Sequence, residues 1–198
     1  MVNKLSQKIT EKLLESGIIS EEERELYIYG LFILISTVMY FVLNCIFGLM
    51  LGCFFESVIF FTAFQFIRKY AGGYHAATET RCEIMSTISL FACIVVIRLS
   101  RSYDLDTVLF CISLIAAAII ALFSPLDTPE KPLSEKEFKY FRKISWIILF
   151  VITAAAIITY CVSFDLVLIP CCLSLILESI LLSAGKIKKS YLKSRAKK

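Results

Sequence analysis

Apolar residues run along this chain in long unbroken stretches, with polar residues gathered into short blocks between them. From Leu26 to Ile67 the only charge in 42 residues is Glu56. A helix needs about 20 residues to cross the hydrocarbon core of a bilayer, so this stretch predicts two spans, with the turn placed at Gly48 and Gly52. Ile84 to Ile97 is also uncharged. Its roughly 14 residues would rise only about 21 Å as a helix, so a third span must borrow flanking residues and let Arg98 snorkel to the surface. A fourth span is predicted over residues 107–123. Residues 144–185, interrupted by Asp165 and Glu178, read as a hairpin of two more spans that turns near Phe164 and Asp165. Because the apolar runs are continuous rather than alternating, helices are favoured over a barrel. The expected fold is therefore all-α, a polytopic membrane helical bundle of about six transmembrane helices.

Ahead of the first span, Leu5, Ile9, Leu13 and Leu14 share one helical face among Lys and Glu residues, and Gly17 is positioned as a C-cap. This predicts an amphipathic surface helix over residues 1–17. These residues are too polar to be the apolar core of a cleavable signal. Ser20 and Glu23 match a capping box opening the first long helix. The whole chain, residues 1–198, reads as one domain: the surface helix, a bundle over 26–185, and a basic tail over 186–198.

Composition agrees with a membrane protein, since 58% of the 198 residues are apolar against about 45–50% in soluble domains. Charge then orients it. With both ends inside, the cytoplasmic segments hold 19 of the 21 Lys and Arg residues, leaving only Arg98 and Arg101 outside. Positive residues accumulate on the cytoplasmic side, so a cell-membrane protein with cytoplasmic N- and C-termini is expected. The net charge of +4 is thus an orientation signal, and nucleic acid is not an expected partner. Seven of the eight cysteines lie within or at the ends of apolar runs, where Cys serves as a small packing residue. Cys82 alone sits among polar residues.

Residues 68–83, RKYAGGYHAATETRCE, combine the only His of the chain, its only Gly-Gly pair and that cysteine. Cysteine catalysis needs a thiolate, an imidazole to accept the thiol proton, and nearby cations to favour the anion. His75, Cys82, Arg68 and Arg81 supply those groups. A zinc site built on His75, Glu79, Cys82 and Glu83 is disfavoured, because the chain has no HExxH, no second His and no CxxC pair. Neither a metal nor another cofactor is expected. Spacing adds a geometric condition. On one straight helix the seven-residue separation of His75 and Cys82 would hold them about 10 Å apart along the axis, too far for direct proton exchange. A non-helical or re-entrant stretch over residues 71–78 is therefore predicted, broken at Gly72-Gly73 and restarting near Thr78-Glu79-Thr80.

The motif Arg68-x-x-x-Gly72-Gly73-x-His75-Ala76, then Cys82, then Ser124-Pro125-Leu126-Asp127-Thr128-x-x-Lys131-Pro132 resembles the AgrB family, the integral-membrane cysteine endopeptidases of Gram-positive peptide quorum sensing. The resemblance covers nearly the whole chain. It implies that Cys82 is the nucleophile, that His75 is its general base, and that the substrate is an AgrD-like propeptide. Such a propeptide has an amphipathic leader, a signal core containing Cys or Ser, and an acidic C-terminal tail. Cleavage between core and tail would leave an acyl-thioester, which a substrate Cys could convert to a thiolactone. The partners expected are this propeptide and the lipid bilayer, with a homodimer compatible with the family.

Other residues keep two readings. Gly72 and Gly73 either present backbone N–H groups to the oxyanion or simply break the helix. Asp127 either orients His75 or caps the turn begun at Pro125, and the turn is favoured. Lys131 could attract the acidic substrate tail. Glu56 and Glu178, ionisable groups in apolar runs, could each pair with an Arg or sit at an interface. The competing function is a peptide exporter, which draws on the six spans and these intramembrane acids but has no internal repeat to support it.

Overall fold

The computed structural model describes residues 2–74, 79–127 and 134–195, with side chains described for these except at Glu79 and at residues 192–195. All secondary structure among them is helical: α1 (Val2–Glu15), a short 3₁₀ turn (Glu21–Glu23), α2 (Arg24–Met50), α3 (Phe54–Ala71), α4 (Glu79–Tyr103), α5 (Asp106–Phe123), α6 (Glu135–Cys161) and α7 (Asp165–Arg195). The all-α polytopic expectation holds. By length and composition, five helical stretches can cross a membrane: Glu21–Met50, Thr80–Tyr103, Asp106–Phe123, Glu135–Cys161 and Asp165–Tyr191. α3 lies where the second span was expected. It carries Glu56, Arg68 and Lys69 within 18 residues and falls outside that set.

The chain forms two compact units, residues 1–43 and 44–198. In the first, α1 ends at Gly17, whose N–H reaches the Leu14 carbonyl at 3.0 Å while Ile18 N–H reaches that of Leu13 at 3.0 Å. Of the apolar positions of α1, Leu5 is exposed and Ile9, Leu13 and Leu14 are half-buried. The expected capping box is present, with Ser20 N–H donating to Glu23 Oε2 at 3.0 Å.

In the second unit α7 is the central helix. Two-thirds of its most apolar window is buried (67%), against 28% for α6 and 22% for α5. It packs on α3, α5 and α6 and, over a shorter stretch, on α4. Leu168, Ile169, Cys172, Leu175 and Leu182 are all sealed from solvent, and the small Cys171, Cys172 and Ser174 let neighbouring backbones approach closely. Each junction has a local cause. The α2–α3 turn falls at Gly52, whereas Gly48 remains inside α2, where an added Cβ would run into Ser57. α4 extends well beyond the apolar run 84–97 at both ends, as that short run requires. α5 stops before Ser124–Pro125, because a residue preceding proline is disfavoured in helix. α6 opens on a full capping box: Ser134 N–H donates to Glu137 Oε2 at 2.9 Å, and Glu137 N–H returns to Ser134 Oγ at 3.3 Å. The last hairpin turns through residues 162–164, as expected.

Both intramembrane acids pair with arginines. Glu56, near the start of α3, pairs with Arg101, which also donates to the Gly52 carbonyl at 3.2 Å. Glu178 pairs with Arg68, near the end of α3. Twelve residues of α3 separate Glu56 from Arg68, about 18 Å of helix rise, so the two ion pairs mark opposite ends of the bundle.

Candidate functional site

α3 ends at Ala71 because Gly72 turns to φ +80° and Gly73 follows at +142°, in the region where a Cβ is strongly disfavoured. The Gly72 N–H closes the helix on the Arg68 carbonyl at 3.1 Å. Arg68 then reaches forward over the break. Its Nη1 donates to the Gly72 carbonyl and its Nη2 to the Tyr74 carbonyl, both at 2.7 Å. Gly73 admits the guanidinium, since a Cβ there would overlap Arg68 Nη1. A planar cation with donors in a fixed fork thus holds two carbonyls of the irregular backbone, at Gly72 and Tyr74.

α7 and the segment after α5 form the other walls. Tyr74 N–H donates to the Leu181 carbonyl of α7 at 3.0 Å, and Leu126 N–H donates to the Ala71 carbonyl at 2.9 Å. Gly185 lies directly beneath residues 73 and 74. Lys188 approaches the Tyr74 ring at 5.5 Å, and Lys189 Nζ binds the Asp127 carbonyl at 2.6 Å and its Oδ2 at 3.2 Å. The preceding Ser124–Pro125 bond is cis, and Ser124 Oγ meets Ser145 Oγ of α6 inside the bundle. Beside this segment a cavity of about 520 Å³ is lined by Leu126, Asp127, Phe138, Lys139 and Lys189 among others.

Cys82 is half-buried in the first turn of α4, next to the exposed Arg81. Tyr74, the residue immediately before His75, is non-helical, and the described part of α4 begins at Glu79. His75 and Lys131 lie outside the described residues. Of the residues singled out from sequence, Arg68, Gly72 and Gly73 meet in one clamp, and Asp127 stands in the neighbouring segment, held by Lys189.

The chain matches the family model for accessory gene regulator B over residues 3–182. It belongs to the accessory gene regulator B family. A putative AgrB-like protein of Clostridium perfringens (strain SM101 / Type A) is 29% identical over 178 residues, covering 84% of this chain and 83% of that protein. A second such protein, from strain 13, is 28% identical over 149 residues, covering 72% and 70%. The accessory gene regulator protein B of Staphylococcus aureus (strain MW2) is 32% identical over 106 residues, 52% of this chain and 56% of that protein. No solved structure matches it. The AgrB match covers the Arg68–Tyr74 and Pro125–Asp127 segments and α7 as far as Leu182, and ends before Gly185, Lys188 and Lys189.

Sequence reasoning missed three contributors on α7: Gly185, Lys189, and Glu178 as the partner of Arg68 in particular. A signal was there. Glu178, Leu181, Gly185 and Lys188 or Lys189 recur at three- and four-residue spacing and so share one helical face. A lone acid followed seven residues later by a Gly, in an otherwise apolar helix, marks that face.

Proposed function

We propose that this AgrB-family protein is a membrane cysteine endopeptidase that cleaves an AgrD-like propeptide and cyclises the signal it releases. The observation that carries this reading is the Arg68 clamp. It fixes the carbonyls of Gly72 and Tyr74, so the backbone immediately before His75 is rigidly held, while Cys82 starts a separate helical segment. A dyad needs His and Cys within hydrogen-bond reach, and the clamped break at residues 72–74 supports this by ending α3 just before the His.

In this mechanism His75 takes the Cys82 thiol proton, and the thiolate attacks the carbonyl carbon of the peptide bond between signal core and acidic tail. The C–N bond breaks, His75 gives its proton to the departing amine, and the core remains as a thioester on Cys82. The Gly72 N–H is already committed to the Arg68 carbonyl. The oxyanion is therefore assigned to other backbone N–H groups beside Cys82. A substrate Cys then loses its thiol proton and attacks the thioester carbonyl, expelling the Cys82 thiolate and closing a thiolactone. One thioester replaces another, so the ring closes without ATP as long as water is kept out. Lys139 and Lys189 beside the 520 Å³ cavity, with Lys131, would receive the acidic tail. The distribution of Lys and Arg supports a cytoplasmic position for this end of the bundle and for both termini.

Purified protein in liposomes should cleave a cognate AgrD-like propeptide, and Cys82→Ala and His75→Ala should each abolish cleavage while inserting normally. Cleavage retained by either variant would remove the dyad. Peptide transport by the Cys82 variant, with no cleavage by the wild type, would make the protein an exporter.

A further inference from the structure

Glu178 is the one charged side chain in the apolar body of α7, and it is completely buried. Burying a carboxylate strips its hydration, and hydrogen bonds normally replace that loss. Among the described residues neither carboxylate oxygen of Glu178 receives one. It faces Arg68 Nη1 across 3.9 Å. That same Nη1 donates to the Gly72 carbonyl at 2.7 Å, while Nη2 donates to the Tyr74 carbonyl. The guanidinium therefore spends its short bonds on the backbone before His75 and keeps Glu178 as a buried counter-charge.

Stability does not require this arrangement, since a buried ion pair is often no better than apolar residues of the same volume. Its geometry suggests another use. A guanidinium is planar, so an anion fixed on one side of it sets the direction of its remaining donors. One helical turn beyond Glu178, the Leu181 carbonyl accepts the Tyr74 N–H directly. α7 thus holds the segment twice, by its own backbone and through Arg68.

We propose that Glu178 is a positioning residue of the His75–Cys82 site, whose buried carboxylate orients Arg68 and so fixes the backbone that carries His75; this rests on the endopeptidase reading above. The test uses the full chain in liposomes as wild type, Glu178→Gln, Arg68→Gln and the double variant. Two readouts are taken: kcat and KM for propeptide cleavage, and hydrogen–deuterium exchange of the amides of Gly72 and Tyr74, which are bonded to Arg68 and Leu181. Glu178→Gln should lower kcat about 100-fold, the usual cost of a small misplacement, with KM within about threefold. Exchange should rise at Gly72 and Tyr74 and stay at the wild-type level in α5 and α6. Because Glu178 acts through Arg68, the double variant should be no slower than Arg68→Gln alone. Wild-type kcat in Glu178→Gln, accelerated exchange throughout the bundle, or a double loss equal to the product of the single losses would each overturn the proposal. If Glu178→Gln does not accumulate in the membrane, Glu178→Asp, which draws the charge back by one methylene, is judged by the same two readouts. A wild-type protein that cleaves no cognate propeptide would defeat the endopeptidase reading, and the exchange data would then decide the clamp by themselves.

Discussion

Gly185 of α7 faces Gly73 so closely that a methyl group added to Gly185 would stand 3.0 Å from the Gly73 carbonyl carbon, 3.0 Å from Tyr74 N and 2.5 Å from Leu126 Cδ2. Backbone meets backbone here, at the point where α7, the segment before His75 and the Pro125–Asp127 segment converge. Leu126 can rotate away, whereas the backbone of residues 73 and 74, held by Arg68 and Leu181, has to move.

Gly185→Ala therefore separates stability from activity. Within a helix, Ala is favoured over Gly by about 0.5–1 kcal/mol, which offsets much of the crowding. The thermal midpoint should change little, while propeptide cleavage falls about tenfold as residues 73 and 74 shift. Unchanged cleavage in Gly185→Ala would show that the position of this segment is not critical.

Gly73→Ala strikes the same segment harder. Its φ of +142° is unfavourable for a side chain, and the new Cβ would displace Arg68 Nη1. Strain of this kind costs about 1–3 kcal/mol. The variant should unfold at a lower temperature and lose cleavage to the same extent as Arg68→Gln. Cleavage clearly above that of Arg68→Gln would mean that the guanidinium does not need the Gly73 gap.

Asp127 is engaged by Lys189 through both its carbonyl and its side chain. Both side chains are partly exposed, so the pair contributes only about 0.2–1 kcal/mol. If Asp127 anchors its turn, Asp127→Asn and Lys189→Ala should each reduce cleavage by less than about tenfold. A catalytic Asp that orients His75 would instead cost about 10⁴-fold on conversion to Asn, with Lys189→Ala nearly silent. Parallel kinetics of the two variants distinguish these roles.

At the other end of the bundle Glu56 is buried and paired with Arg101. Glu56→Gln removes the counter-charge of a guanidinium that is nearly half exposed, and the expected loss of stability is about 1 kcal/mol or less. The kcat for cleavage should be unchanged, because about 18 Å of α3 lies between Glu56 and Arg68. A matching fall in kcat would tie the two ends together mechanically and would argue against a locally organised site.

Much of this was legible in the sequence because a membrane leaves the chain few options. Apolar runs near span length marked α2 and α5 to α7, a shorter run with borrowed flanks marked α4, and Phe164–Asp165 marked the last turn. Of the non-helical stretch expected over residues 71–78, the break at Gly72-Gly73 is present, Ala71 still belongs to α3, and residues 75–78 lie outside the described residues. The contacts of α7 were not legible. Whether Glu178 met an arginine or an interface depended on which helix lay opposite, and hydropathy does not encode neighbours. Gly185 looked like the end of a span, yet α7 continues as helix to Arg195. The Asp127–Lys189 contact joins residues 62 positions apart, and no local rule foresees it.

The central claim is covalent chemistry at Cys82, and intact-mass spectrometry of the protein during turnover addresses it directly. Wild-type protein in liposomes, incubated with a cognate propeptide and quenched in acid, should carry an adduct on Cys82 equal in mass to the acylated N-terminal fragment. The adduct should be absent in Cys82→Ala and in His75→Ala. Cleavage of the propeptide without any adduct on Cys82, under conditions that trap thioesters, would contradict the account.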